Sequence, residues 1–320
     1  MSGLLERLSN DLVLPSRDLI YLIQSAPHRY KVYNIPKKTP GKTREIAQPA
    51  REVKPLQRWL MSNVLNNFLI HPAAVAYRNG RSIRHNAVPH APHRYLCKLD
   101  FTNFFPSIKS IDFENYMRQN SHTGTWTEQE IGYMSRILFW QRDRKALPQL
   151  SIGAPSSPLL SNILLYGFDL RITALCNQHD VTYTRYADDL CFSTNESGVL
   201  RQLEGEVAQI CREIRSPRLF LNSMKTVHAS KKGSRRVTGL ILTNDGQVSI
   251  GRSKKREIRA WFHKYIRGLL SEEEIAELRG MLSFVNSVEP VFLQRIAKTY
   301  GTAALNNLLS TGRPLGPIES

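Results

Sequence analysis

Asp188 and Asp189 stand side by side in Tyr186-Ala187-Asp188-Asp189, between two short runs rich in β-branched and apolar residues, Val181-Thr182-Tyr183-Thr184 and Leu190-Cys191-Phe192-Ser193-Thr194. Strand, tight turn and returning strand predict a β-hairpin with two carboxylates at its tip. Adjacent carboxylates repel, so the pair is favourable chiefly where a cation lies between them. Hard divalent ions such as Mg²⁺ are held by one or two carboxylates together with substrate phosphates. Nucleotidyl transfer uses two such ions to keep the attacking and leaving oxygens in line. Turns also favour Asp on local grounds, so the pair taken alone reads as a solvated turn, and a third carboxylate has to decide. Asp100 closes the apolar run Tyr95-Leu96-Cys97-Lys98-Leu99, ahead of Phe101-Thr102-Asn103-Phe104-Phe105. In isolation it would equally cap a helix. An acidic residue emerging at the end of a buried strand, beside a hairpin carrying two more, would complete a three-carboxylate site for two metals.

The elements that must carry these residues follow from periodicity. Residues 1–26 read as helical, with leucines at roughly helical spacing. Two alternating runs, 30–35 and 42–46, flank Pro36, Pro40 and Gly41 and predict a hairpin. A helix with Leu56, Trp59, Leu60, Val64 and Leu65 inward follows. The middle third mixes short strands (95–101, 181–194) with helices (about 127–141 and 157–178). After residue 224 the chain turns basic: twelve Lys or Arg lie between Lys225 and Arg267, against Asp245 and Glu257. There Ile258, Phe262, Tyr265, Ile266 and Leu269 are expected on one helical face, with cations opposite. Ser271-Glu272-Glu273-Glu274 reads as a capping box opening another helix. A mixed α/β body is thus followed by a basic, largely helical C-terminal lobe.

The 320 residues, 41% hydrophobic and 22% charged, suffice for one large multi-lobed unit or two domains. Lys and Arg number 44 against 27 Asp and Glu, giving a net charge of +17 and a pI near 9.9. A polyanion is the default partner of such a chain, nucleic acid above all. An anionic membrane surface is the competing reading, weakened because no stretch is apolar enough to span a bilayer. The N-terminus lacks a charged region followed by an apolar signal core, so export is not expected. Cys97, Cys176, Cys191 and Cys211 show neither CxxC pairing nor zinc-ligand spacing, which fits a reducing cytoplasm.

With these residues in hand, the chain from about 28 to about 251 resembles reverse transcriptases, and among them the bacterial retron enzymes. The Asp100 segment resembles the first catalytic motif of that family, and Ser151-Ile152-Gly153-Ala154-Pro155-Ser156-Ser157-Pro158, with Asn162, resembles the second. Tyr186-Ala187-Asp188-Asp189 matches the third. Leu219-Phe220-Leu221-Asn222-Ser223-Met224-Lys225-Thr226 resembles the fourth, and Val237-Thr238-Gly239-Leu240 falls where the primer grip begins. Asn86-Ala87-Val88-Pro89-His90 and Val237-Thr238-Gly239 fit short elements of retron enzymes. One departure is Ile152, where the family has Gln before the motif glycine.

The resemblance implies an α+β right-hand polymerase: N-terminal helices and fingers over 1–95, a palm with an antiparallel sheet on helices over 96–238 (part of the fingers interleaved around 110–150), and primer grip with a helical, basic thumb over 239–320. It implies that Asp100, Asp188 and Asp189 hold two Mg²⁺ ions, and that Lys42 and Arg44 grip the dNTP triphosphate, Arg44 offering the bidentate fork. Phe105 would select deoxynucleotides by crowding a 2′-OH, unless it packs in the core. Gly153 and Ala154 would let the backbone approach base and sugar. Lys225 would act as an acid toward pyrophosphate, or else belong to the basic strip. Val237, Thr238, Gly239, Arg252, Lys254, Lys255, Arg256 and Arg259 would contact primer and RNA. Trp261 and Tyr265 would stack on bases or pack inside. Asn86 and His90 would form a retron-specific element, or else be a capping Asn and a satisfied His.

The implied function is RNA-directed DNA synthesis on a structured non-coding RNA bound by the chain. Retron enzymes start from a guanosine 2′-OH to give branched RNA–DNA (msDNA), and work beside a separately encoded effector in anti-phage defence. A group II intron-type enzyme is the nearest alternative; the chain ends soon after the thumb, without a maturase or endonuclease region. A viral RNA-dependent RNA polymerase would carry Gly-Asp-Asp. A non-catalytic RNA-binding scaffold on a polymerase fold is the alternative from a different class, opposed by the three carboxylates and Arg44.

Overall fold

The computed structural model describes residues 3–37, 41–120 and 126–310. The hairpin turn at 38–40, Met1 and Ser2 of the first helical stretch, and the last ten residues of the expected thumb lie outside the described residues. In chain order the elements begin with α1 (Leu4–Leu12), α2 (Ser16–Ser25), β1 (Tyr30–Pro36), β2 (Thr43–Pro49), α3 (Val53–Asn63), α4 (Ile83–Ala87) and β3 (Tyr95–Asp100). Next come α5 (Phe104–Ser107), α6 (Ser110–Asn120), α7 (Glu128–Leu138), α8 (Ser157–Leu164), α9 (Tyr166–Gln178), β4 (Thr182–Tyr186), β5 (Asp189–Thr194) and α10 (Val199–Glu213). The remainder is β6 (Val227–Ser230), β7 (Arg235–Val237), β8 (Leu240–Leu242), β9 (Val248–Ser249), α11 (Arg252–Ile266), α12 (Glu272–Val288), α13 (Pro290–Tyr300) and α14 (Thr302–Ser310). Strands order as β4-β5-β3-β6 in one sheet, β1-β2 in a second and β7-β8-β9 in a third. The chain divides into two compact units: 1–79, 98–191 and 198–227 form the first, and 80–97, 192–197 and 228–320 the second.

In the first unit the helical reading of 1–26 is broken. Val13 sits in the left-handed region, ends α1, and Pro15 starts α2, as expected of a residue that cannot continue a helix. The stretch 157–178 likewise splits at Leu165, with a 52° bend between α8 and α9. Leu56, Trp59 and Leu60 of α3 are buried as expected, as are Val64 and Leu65, which follow the helix end at Asn63. The helix α7 opens on a capping box: Thr127 Oγ1 accepts from the Glu130 N–H (3.2 Å) and the Glu130 carboxylate accepts from Thr127 N–H (2.9 Å). Antiparallel β1 and β2 set Ile35 opposite Arg44. Among the described residues no single helix is long and apolar enough to cross a membrane.

In the second unit the basic stretch is not helical at its start. Alternating Arg235-Arg236-Val237 and Leu240-Ile241-Leu242 form an antiparallel hairpin, extended by β9. Its turn places Thr238 at φ 46° and Gly239 at φ 85°. Arg235, 1% exposed, donates to the carbonyls of Ala91 (3.3 Å), Thr243 (2.7 Å) and His93, so one of the counted cations is a structural strut. Ile258, Phe262 and Tyr265 of α11 are buried, whereas Leu269, expected on that face, is 61% exposed because the helix ends at Ile266. The capping box at Ser271 and Glu274 is present. All four cysteines are buried and none is in a disulfide among the described residues.

Candidate active site

The hairpin β4–β5 turns through Ala187 and Asp188, with Ala187 at φ 58°, so the tip is tight but strained for a residue with a Cβ. Beside it, Asp100 is the last residue of β3 and 8% exposed; it ends a strand and caps no helix. The next amide, Phe101 N–H, donates to the Asp188 carbonyl at 3.2 Å, which joins the two carboxylate-bearing segments. On the other flank, Asn222 N–H donates to the Asp100 carbonyl (2.7 Å) and Thr102 N–H to Phe220 (2.8 Å). That pairing carries the 3₁₀ turn Ser223–Lys225 over Asp100, and Lys225 Nζ lies 2.8 Å from Asp100 Oδ1.

The three carboxylates sense one another. Burial, then Asp188 and Asp100, push the Asp189 carboxyl up to about 6. Burial raises Asp188 too, helped by Asp100 and opposed by Lys225 and Arg44. Asp100 is turned to Lys225. An all-oxygen set in which burial, and after it the neighbouring carboxylates, raise Asp188 and Asp189 suits hard divalent cations, which would offset both costs. The residues present therefore fit divalent metal.

Beneath the tip lies a network that the sequence reading passed over. Arg185 and Asp169, both with side chains 0% exposed, pair at 2.6 Å. Arg185 Nε reaches the other Asp169 oxygen (2.9 Å), and its Nη1 donates to Asn162 Oδ1 (3.1 Å) and the Ala187 carbonyl (3.2 Å). Tyr183 Oη donates to Asp169 (2.8 Å). Asn162 Nδ2 in turn donates to the Ala76 carbonyl (2.8 Å). The available signal was an Arg inside a strand that otherwise reads apolar, since a buried cation requires a buried partner.

Facing the carboxylates is a cavity of about 480 Å³ whose walls include Arg44, Tyr77, Phe105, Ile152, Asp188 and Lys225. Arg44 thus reaches the site from β2, while Lys42 is exposed on the same hairpin and does not line the cavity. Both adjacent rings line the cavity, but Phe104 is buried whereas Phe105 is half-buried and also lines the second cavity, so Phe105 is the more presented of the two. Gly153 has φ 124°, and a Cβ there would lie 3.1 Å from Ile46 Cγ2 and 3.2 Å from the Ala47 carbonyl. Its smallness serves backbone-to-backbone packing on β2, where Ala47 N–H donates to the Ile152 carbonyl at 2.9 Å. A second cavity, of about 420 Å³, is lined by Gly153, Ala154, Lys54 and Arg58, and shares Tyr77, Phe105 and Ile152 with the first. The Tyr77 phenol, raised by burial and then by Asp188, is a site residue that sequence reasoning missed.

The remaining candidates belong to the second unit. Val237 is buried, and Thr238 Oγ1 donates to the Ile83 carbonyl at 3.3 Å. Arg252, Arg256 and Arg259 are exposed on α11. Lys254 pairs with Glu257 (3.0 Å), and Lys255 is drawn to Glu289 (2.5 Å) with little exposure. Of the two aromatics, Tyr265 is buried and Trp261 half-buried. Asn86 and His90 are 1% and 0% exposed, with His90 Nδ1 2.7 Å from Ser193 Oγ, and burial pushes the His90 imidazole down to about 3. Both are interior residues of α4 and the turn after it.

A carboxylate-bearing strand, an Asp-Asp hairpin tip and a facing cationic hairpin are the parts of a template-directed polymerase. The family model for "Reverse transcriptase (RNA-dependent DNA polymerase)" matches residues 35–242, and the chain belongs to that family. Its relatives place it more narrowly. The Retron Ec83 reverse transcriptase of Escherichia coli is 38% identical over 92% of this chain and 94% of its own length. Retron Ec86 and Ec73 reverse transcriptases, also of Escherichia coli, are 34% and 32% identical, over 89% and 87% of this chain and 87% and 89% of theirs. The protein is an RNA-directed DNA polymerase of the retron type.

Proposed function

We propose that the protein copies part of a structured non-coding RNA that it binds, starting from a guanosine 2′-OH of that RNA to leave branched RNA–DNA, and that it acts with a separately encoded effector against phage. Its setting is the bacterial cytoplasm. The retron relatives support this reading, and one observation carries the chemistry: Asp188, Lys225 and Arg44 line one cavity, Asp100 is paired to that Lys225, and Asp189 feels the charge of both other carboxylates.

Asp100, Asp188 and Asp189 would hold two Mg²⁺ ions, which lower the pKa of the primer hydroxyl and neutralise triphosphate charge. Arg44 grips the phosphates bidentately, with Lys42 a supporting cation at the outer end of the hairpin. Phe105 stands where a 2′-OH on the incoming sugar would clash. Lys225, held at Asp100, is a proton donor within reach of the departing pyrophosphate. Ala154 and Gly153 keep the neighbouring wall low. Arg252, Lys254, Arg256 and Arg259 on α11, with the Val237-Thr238-Gly239 turn, track nucleic-acid phosphates, and Asn86 and His90 set the internal packing of that unit.

Primer extension with Mg²⁺ tests the site: dNTPs are incorporated, NTPs poorly, and Asp188→Asn abolishes extension. An Asp188→Asn protein as active as wild type would overturn the assignment. Sequencing of co-purifying nucleic acid tests the retron reading: a 2′-linked RNA–DNA branch supports it, and random cellular RNA alone counts against it.

A further inference from the structure

Tyr77 combines three features that do not occur together by default. Its ring is 48% exposed. Its backbone has φ 61°, a region that bulky L-residues avoid and that persists only where the surroundings enforce it. And it lines both cavities beside the carboxylates.

The enforcement is visible residue by residue. Arg185 N–H donates to the Ala73 carbonyl (2.7 Å), and Val75 N–H donates to the Arg185 carbonyl (2.8 Å). Asn162 Nδ2 then fixes the Ala76 carbonyl. The chain is clamped up to the residue before Tyr77, and the clamp is built from the same Arg185 and Asn162 that hold the Asp188 turn. An exposed aromatic is thus registered to the catalytic carboxylates.

The two cavities have different chemistry. One holds Arg44, Asp188 and Lys225 and suits a triphosphate; the other holds Lys54 and Arg58 and suits a second anionic strand. The residues common to both are Tyr77, Phe105 and Ile152. With phosphates at Arg44 and the sugar at Phe105, a base paired to a strand in the second cavity must lie across this junction. Ile152 offers no hydrogen bond there, and an aromatic face binds any base without reading its edge.

We infer that Tyr77 is a nucleotide-binding residue whose ring stacks on the base of the incoming deoxynucleotide, opposite Phe105. The inference rests on the reading of the cavity as the nucleotide site.

Steady-state single-nucleotide incorporation tests it. Tyr77→Ala raises KM for each dNTP about tenfold, more for purines than pyrimidines, while kcat stays within about threefold. Tyr77→Gly removes the ring yet accepts the positive φ, so it shows the same KM rise without loss of Tm. Tyr77→Phe, which keeps the ring, restores KM to within about twofold. Unchanged KM in the Ala and Gly variants overturns the stacking role, as does a Phe variant as impaired as Ala, which would assign the effect to the hydroxyl. A wild-type protein that extends no primer would instead sink the polymerase reading of the site.

Discussion

Arg185 donates through Nη1 to the main-chain carbonyl of Ala187 at 3.2 Å, one residue before Asp188. The turn that presents the carboxylates is therefore positioned by a buried cation and not by its own sequence. Ala187 at φ 58° costs about 1–2 kcal/mol, and a free hairpin would relax it. Asp169, wholly buried, supplies the counter-charge.

Breaking this pair on one side leaves a charge without water or partner. Asp169→Ala is expected to cost about 3–5 kcal/mol in urea unfolding. The double replacement Asp169→Leu with Arg185→Met costs much less than the sum, because no charge is stranded. Its polymerase activity still falls, since the Ala187 carbonyl has lost its donor. A double variant destabilised as much as the sum of the singles would show that the pair does not act as a unit.

Gly153 is the second position where backbone geometry serves the site. Gly153→Ala must fit a Cβ 3.2 Å from the Ala47 carbonyl at φ 124°. The expected loss is about 1–3 kcal/mol. Because β2 carries both Ala47 and Arg44, its displacement should raise KM for dNTP more than it lowers kcat. A Gly153→Ala protein of wild-type Tm and KM would show that β2 does not depend on this contact.

That the carboxylates come together was legible because Asp100 and Asp188-Asp189 interrupt apolar runs, which a fold alone would not select. That Arg44 and Phe105 would line the same cavity was legible from their spacing on elements whose periods are short and clear. Lys42 and Lys255 were not separable from their neighbours, because cations on one strand or helix look alike until their partners are known. Glu289, 34 residues on from Lys255, neutralises it. Arg185 showed only as a cation in an apolar strand, and Tyr77 not at all, for a related reason. Their roles lie in contacts with Asp169, Asn162 and Ala76 that only the assembled chain brings together.

The same distinction predicts how α11 responds to salt. Arg252 and Arg256 are exposed, so replacing both with Ala should lower the slope of log affinity for RNA against log salt by about 2 and leave Tm unchanged. Lys255→Ala should do the reverse: the slope barely moves, and stability drops because the Glu289 carboxylate keeps the Ile250 N–H but loses its cation. Equal slopes for all the variants would mean that α11 does not face the nucleic acid.

His90 and Asp189 carry opposite pH signatures, which lets each be read separately. The His90 imidazole is held down at about 3 by burial and by His93, against about 6.5 in the unfolded chain. The unfolded state therefore takes up a proton first, so this contribution is present above pH ~6.5 and is lost as pH falls toward 3, with a slope of up to ~1.4 kcal/mol per pH unit. Asp189, raised to about 6, behaves the other way. Its contribution is present below the unfolded carboxyl value and is lost as pH rises through about 6. In EDTA at pH 7, Asp189→Asn should accordingly be more stable than wild type. Asp189 is an exposed residue, and solvent screening reduces the gain to about 1 kcal/mol. Mg²⁺ should raise the Tm of wild type more at pH 7 than at pH 5, where protons compete for the same oxygens. Thermal unfolding from pH 7.5 to 5 resolves the two groups. The gap between Asp189→Asn and wild type should close toward pH 5, and His90→Gln should flatten the acid slope. A gap that stays constant across that range would mean that Asp189 is not crowded by Asp188 and Asp100, and the three carboxylates would not form one site.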